Sequence, residues 1–286
     1  GEVVALRDLD LSIPGGVTGL VGANGAGKTT MLRILLGLLH PTAGKTTVLG
    51  HDPETEPLDV RARVGYMPEV GSVPLDQTAA DFVAYTAELA GLPPREAKRR
   101  SSETLFLVGL EEERFRYLGD FSTGMRQRVK LAQAIVHDPD LVLLDEPASG
   151  LDPEGREQML DLIARLGTFD INVIVSSHVL PDIERTCDWV VMLDAGNLLR
   201  SAPLKGFERD ATVLAEVLER PEEVAAMLRE RGIEAVVGGM RIVVGPGEGL
   251  EDAIVGAAAR LGTGLVRMTR GSASLEQLFL VHGEKP

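Results

Sequence analysis

Residues 22–29 read Gly-Ala-Asn-Gly-Ala-Gly-Lys-Thr, a complete Gly-x-x-x-x-Gly-Lys-Thr loop between an apolar run and a helix-patterned one. Val17–Val21 is short and strand-like, and Lys28–Leu36 carries helical spacing straight after the last glycine. Strand, glycine loop and helix is the arrangement that phosphate binding demands. Glycines let successive backbone N–H groups point into one concavity, and the helix N-terminus adds about half a positive charge. The candidate phosphate contacts are therefore Gly22, Ala23, Asn24, Gly25, Ala26, Gly27, Lys28, Thr29 and Thr30. Lys28 is placed to reach β- and γ-phosphates, and the Thr29 hydroxyl to ligate Mg²⁺.

A chain of 286 residues, 44% hydrophobic and 25% charged, has the make-up of one large or two modest globular domains. The formal net charge of −14 argues against nucleic acid as a partner, because phosphate backbones are bound by clustered Lys and Arg. Cys187 is the single cysteine, which excludes an intrachain disulfide and fits a reducing cytoplasm. No apolar run approaches the ~20 residues needed to cross a bilayer, and no signal-peptide pattern opens the chain. The first residue is Gly1 rather than Met, so the natural chain is expected to begin upstream.

Val3–Leu11 and Val17–Val21 read as strands around Pro14-Gly15-Gly16, with further short strands at Lys45–Leu49 and Val64–Met67. From Leu75 to His137 the pattern turns helical, over Ala79–Ala90, Arg95–Val108 and Met125–Val136. Leu141–Leu144 and Asn172–Val175 are apolar strands of the buried parallel kind, with a helix at Glu154–Leu166 between them. Trp189–Leu193 and Leu198–Ser201 form a hairpin. Beyond Phe207 the alternation predicts strand Thr212–Leu218, helix Glu222–Arg231, strands Ala235–Val237 and Arg241–Val244, helix Leu250–Leu261 and strand Leu265–Met268. A module of that size is marginal alone and is expected to lean on the main body or a second copy.

Leu141-Val-Leu-Leu-Asp145-Glu146 is an apolar strand ending in two carboxylates. In a P-loop fold the first acid, Asp145, holds Mg²⁺, usually through water. Glu146 points elsewhere and is the candidate general base or water-orienting group. Phe121-Ser122-Thr123-Gly124-Met125 opens a helix with Met125, Val129, Ala132 and Val136 on one face. Ser122 is a natural N-cap, and Gly124 keeps the first turn bare, so backbone N–H groups are open to an anion.

With these residues in order, the chain resembles an ATPase subunit of the ATP-binding cassette (ABC) transporter family. Gly22–Thr29 is similar to Walker A, residues 121–125 to the signature, and 141–146 to Walker B; Ser149-Gly150-Leu151-Asp152-Pro153 resembles the D-loop and Ser176-Ser177-His178 the switch histidine. The resemblance covers residues 1 to about 205. It implies an α/β, RecA-like P-loop core in two parts (1–74 and 139–206), an inserted helical subdomain (75–138), and a small C-terminal α+β domain (207–286). Lys28, Glu146 and His178 would be catalytic on ATP bound in cis, with Mg²⁺ on Thr29 and Asp145. Ser122, Gly124 and Asp152 would act on ATP held by a facing subunit, so that two copies, or a copy and a homologous cassette, close around two Mg-ATP. The resemblance further implies a separate transmembrane permease subunit and a peripheral position at the cytoplasmic face of the membrane.

Phe121, Thr123 and Met125 depart from the usual Leu-Ser-Gly-Gly-Gln signature, and Glu69 stands at the glutamine-loop position after Val64-Gly65-Tyr66-Met67-Pro68. A carboxylate there still ligates Mg²⁺ or its water. Both variants, and the stretch Ala273–Leu280, resemble bacterial exporters of drugs, lipids or polysaccharides. The adenine-stacking aromatic is expected just before Gly1, with Ala5 at the adenine edge, and Val70–Ala80 as the docking surface for the membrane subunit. Two other readings stay open: an ATP-responsive regulator of a membrane complex without cargo, and a soluble non-transport ABC ATPase. The C-terminal domain is regulatory, extends the dimer contact, or serves packing.

Overall fold

The computed structural model describes residues 4–71, 73–204, 211–245, 247 and 249–272. It divides into two compact units, Gly1–Ser201 and Ala202–Pro286. Phe207 and the Ala273–Leu280 stretch lie outside the described residues.

The first unit runs β1 (Val17–Val21), α1 (Lys28–Leu35), α2 (Pro57–Arg63), β2 (Val64–Met67), α3 (Ala79–Leu89), α4 (Pro94–Leu107), α5 (Thr123–Ile135), β3 (Leu141–Asp145), α6 (Pro153–Gly167), β4 (Asn172–Ser177), α7 (Leu180–Thr186), β5 (Trp189–Asp194) and all but the last two residues of β6 (Asn197–Pro203). Its sheet has the order β2-β3-β4-β1-β5-β6, with β1 to β5 paired in parallel. Every residue of β1 and β3 is buried, as expected where helices cover both faces of a parallel sheet. One core cluster gathers Leu20 of β1, Met31 and Leu32 of α1, Leu143 of β3, Ile174 of β4 and Val191 of β5. Burying each such side chain contributes about 1.5–3 kcal/mol.

Register decides what meets at the ends of these strands. Asp145 pairs with Ser176, and Val21 with Ser177. The C-terminal ends of β1, β3 and β4 are therefore level, and the loops that follow them emerge side by side. That edge of an open α/β sheet is where ligands bind.

Helix α5 packs against β2 through a glycine. A Cβ on Gly65 would sit 1.9 Å from the carbonyl oxygen of Ala134, so only hydrogen fits there. Around α5, helices α3 and α4 form the helical part of the unit, closed by Val83, Ala87, Leu105, Val129 and Leu131, all fully buried.

Two predicted strands are absent. Residues 4–11 have no ladder, although Leu6, Leu9 and Leu11 pack on the core and the Arg7 N–H donates to the Gly196 carbonyl at 2.7 Å. Alternating apolar residues encode a buried side, not a partner strand. Lys45–Leu49 holds only the isolated bridge of Val48 with His51. Conversely, α2 and α7, seven residues each, carry too little periodicity to be read from sequence.

The second unit runs β7 (Ala211–Val217), α8 (Pro221–Arg229), β8 (Ala235–Gly238), β9 (Arg241–Val244), α9 (Leu250–Leu261) and β10 (Leu265–Ser272). Its antiparallel sheet has the order β10-β7-β9-β8, a split βαβ arrangement. Val213, Ala215, Val217, Leu228, Ile242, Val244 and Ile254 form a core belonging to this unit.

Candidate functional site

The loop between β1 and α1 is shaped by glycine. Gly25 and Gly27 take φ of 86° and 103°, and Gly27, the N-cap of α1, has Leu6 and the Ala5 carbonyl where a Cβ would stand. The left-handed region excludes most side chains, so the chain can turn tightly into α1 here only with glycine. Lys28 is buried at 6% exposure, its Nζ donating to the Gly22 carbonyl at 2.7 Å and the Ala23 carbonyl at 3.3 Å.

Five residues predicted from separate segments meet at this place. The Thr29 hydroxyl donates to Asp145 Oδ2 at 2.8 Å. Lys28 Nζ lies 3.4 Å from Glu146 Oε1, and His178 Nδ1 lies 3.0 Å from Glu146 Oε2. Glu146 is 8% exposed, yet its Oε1 has no hydrogen-bond partner, since the Lys28 contact is ionic only. A buried carboxylate oxygen in that condition is a ready acceptor. Glu146 also holds φ at 46°, a left-handed backbone that a non-glycine residue adopts only when its surroundings enforce it.

Ser176, not singled out by the sequence reading, does the enforcing. Fully buried at the end of β4, its hydroxyl donates to Asp145 Oδ1 at 2.6 Å and accepts the Glu146 N–H at 3.0 Å. Asp145 is thus held by a hydroxyl on each oxygen. The signal available in sequence was a serine closing an otherwise apolar strand.

The remaining candidates stand apart from this cluster. Ser122 caps α5 by accepting the Met125 N–H at 3.2 Å, as its position predicted. Gly124 is close to Leu151: a Cβ there would meet its side chain at 3.8 Å. The Asp152 carboxylate caps α6 by accepting the Gly155 N–H at 3.2 Å. Ala5 lies beside Gly27 and Gly196. Glu69 is exposed after β2, and its backbone carbonyl accepts from Lys130 Nζ of α5 at 3.1 Å. Burial pushes the Lys130 ammonium down from the usual lysine range, while the Glu69 and Asp145 carboxylates pull it back up.

Alongside Glu146 and His178 a cleft of about 180 Å³ opens between Ser149–Leu151 and α7. Arg156 of α6 crosses beneath it to Asp182 of α7, its Nη2 at 2.8 Å from both carboxylate oxygens. Cys187 is inert, its thiol pushed up to about 12 by burial.

The residues fit a magnesium nucleotide. The hydroxyl of Thr29 and the carboxylate of Asp145 are hard oxygen donors 2.8 Å apart at the start of α1, and a cation side chain lies beside them.

The model of the family described as ABC transporter matches residues 6–149. An uncharacterized ABC transporter ATP-binding protein of Synechocystis is 36% identical over 98% of this chain and 78% of its own length. The bacitracin transport ATP-binding protein BcrA of Bacillus licheniformis is 35% identical, covering 81% of this chain and 75% of that protein. The methionine import ATP-binding protein MetN of Xanthomonas campestris is 33% identical, with coverages of 91% and 80%. Among solved structures, a dimeric post-hydrolysis ATP-binding cassette with ADP and Pi superposes with a TM-score of 0.62 at 26% identity, over 70% of this chain and 90% of that one. Three motif segments converge on one sheet edge, and the relatives named align with 81% to 98% of the chain: it is an ATP-binding subunit of the ABC transporter family.

Proposed function

We propose that this chain is the ATP-hydrolysing motor of an exporter, closing with a second cassette around two Mg-ATP and acting on a separate transmembrane subunit. One observation carries the catalytic part: Lys28, Thr29, Asp145, Glu146 and His178 form a continuous contact network at the C-terminal ends of β1, β3 and β4.

In this reading the loop N–H groups and Lys28 bind the phosphates, and Lys28 exchanges its loop carbonyls for phosphate oxygens. Thr29 and Asp145 hold the metal, which supplies charge neutralisation when bound. Glu146 Oε1 takes the hydrogen bond of the attacking water, and His178 steadies the other oxygen of the same carboxylate. Glu69 completes the metal surroundings, and Ala5 borders the adenine. Ser122, Gly124 and Asp152 lie outside this network in their own chain, which supports their service to a nucleotide held by a facing copy. The dimeric cassette structure is in keeping with that assignment.

For the membrane partner, Val70 is 89% exposed and Leu75 56%, with Tyr85 of α3 also outward. No helix among the described residues is long and apolar enough to cross a membrane; in this reading the pathway for cargo belongs to a separate transmembrane subunit and this chain sits at the cytoplasmic face. Export rests on the motif variants at Phe121, Thr123, Met125 and Glu69, which resemble those of bacterial exporters; among the relatives, one is named for bacitracin transport and another for methionine import, which pulls the other way. Segments 75–138 and 207–286 are assigned as the helical and accessory domains.

The test is oligomeric state. The Glu146→Gln form with ATP and magnesium should elute as a dimer while the nucleotide-free form does not, and wild-type ATPase rate should rise faster than linearly with enzyme at low concentration. A Glu146→Gln form that stays monomeric, together with a strictly linear rate, overturns the two-copy mechanism. Cargo flux out of, rather than into, the cytoplasmic side of vesicles carrying the partner subunit decides direction.

A further inference from the structure

Lys130 is a lysine in the middle of α5, 6% exposed, whose ammonium makes one hydrogen bond, to the Glu69 carbonyl at 3.1 Å. Lysine is almost never so deeply buried without a counter-ion. Among the described residues it forms no contact ion pair, yet two carboxylates act on its charge, Glu69 first and Asp145 second. The same two carboxylates act on Tyr66 of β2, so they share one neighbourhood. Three acids meet there, Asp145 at the end of β3, Glu146 just after it and Glu69 after β2; Lys28 touches Glu146, and Arg33 of α1 reaches Tyr66. A nucleotide triphosphate brought to this edge meets three carboxylates.

We propose that Lys130 is a positioning residue that makes an acid tolerable at position 69: its buried ammonium tethers the Glu69 backbone to α5 and offsets the carboxylate charge that would otherwise repel the triphosphate. The geometry favours this. Gly65 brings α5 into backbone contact with β2, which carries Lys130 within reach of the loop that follows the strand. The inference rests on the ATP reading above and adds a division of charge, Lys28 serving the phosphates and Lys130 the acids.

Wild type, Glu69→Gln, Lys130→Met and the double variant of the full chain are compared by equilibrium binding of a fluorescent, non-hydrolysable ATP analogue, once with chelator and once with Mg²⁺, with melting of each apo protein as the check on folding. One charge several ångströms away at a protein surface corresponds to about a tenfold change in affinity. Lys130→Met should weaken chelator-condition binding about tenfold, Glu69→Gln should strengthen it several-fold, and the double variant should return to within about twofold of wild type. The effects should shrink with Mg²⁺, which itself neutralises the acids. If the double variant binds as weakly as Lys130→Met, Lys130 acts only through its hydrogen bond to the carbonyl, and the proposal fails. Should Lys130→Met not fold, Glu69→Gln alone decides: unchanged chelator-condition affinity overturns the proposal. A wild type that binds the analogue in neither condition overturns the ATP reading itself.

Discussion

The Ser176 hydroxyl donates to Asp145 Oδ1 at 2.6 Å, and Ser176 Oγ in turn accepts the backbone N–H of Glu146 at 3.0 Å. One side chain therefore aims Asp145, the acid proposed for the metal, and pins the left-handed backbone of Glu146, the acid proposed for the water. Ser176→Ala leaves a buried N–H unpaired, which costs about 1–3 kcal/mol of stability. It should lower kcat at least tenfold while nucleotide affinity, set by Lys28 and Thr29, stays within about twofold. Ser176→Cys, close in size and weaker as a hydrogen-bonding group, should fall between. Steady-state kinetics with parallel nucleotide binding checks the split, and equal losses in both would remove the positioning role.

Glu146→Gln removes the acceptor charge at Oε1 but keeps the shape. Hydrolysis should slow at least a hundredfold, the usual scale for a lost general base, with nucleotide affinity retained. Phosphate release under single-turnover conditions is the measurement. Hydrolysis near the wild-type rate would take the base role away from Glu146.

Gly65→Ala places a methyl 1.9 Å from the Ala134 carbonyl oxygen, where the two nearest atoms are backbone and cannot rotate aside. Such overpacking costs about 1–3 kcal/mol. The thermal midpoint should drop by several degrees. An unchanged midpoint would mean that α5 and β2 are less tightly apposed than described.

Arg156 and Asp182 tie α6 to α7 by a bidentate pair in which Asp182 is 7% exposed. Arg156→Ala strands a buried carboxylate and should destabilise more than the double change Arg156→Ala with Asp182→Ala. Denaturant unfolding of the four proteins should give a coupling energy of about 0.5–3 kcal/mol. Additive losses would reduce the pair to a surface contact.

His137 is held below the ordinary imidazole value by burial, with a Val64 backbone hydrogen bond opposing. The unfolded chain then binds more protons than the folded one just below pH 6.5, the ordinary value, so the stability from this group is present above that pH and lost on acidification. His137→Gln should flatten the slope of stability against pH on acidification below 6.5. Identical slopes in the two proteins would exclude the effect.

What was legible in sequence was whatever local chemistry dictates. Gly25 and Gly27 announce a left-handed loop, Ser122 a cap, and Leu141–Leu144 a buried strand, and each is found there. Ser176 and Lys130 were not legible because their partners, Asp145 and Glu69, lie 31 and 61 residues away and are met only through strand register and helix packing. The strand expected over 3–11 failed for the related reason that its pattern encodes a buried side and no ladder.

The contact of Gly65 with Ala134 is backbone on backbone, at the far end of α5 from Ser122. With a rise of about 1.5 Å per residue, the arm from that fulcrum to the signature serine is about 18 Å long. A tilt of about 10° there sweeps Ser122 through about 3 Å, the length of a hydrogen bond. The leverage is set where glycine lets helix and strand touch, so in the proposed two-copy mechanism a small rotation at the sheet would be enough to make or break the grip of Ser122 on phosphate at the opposite tip.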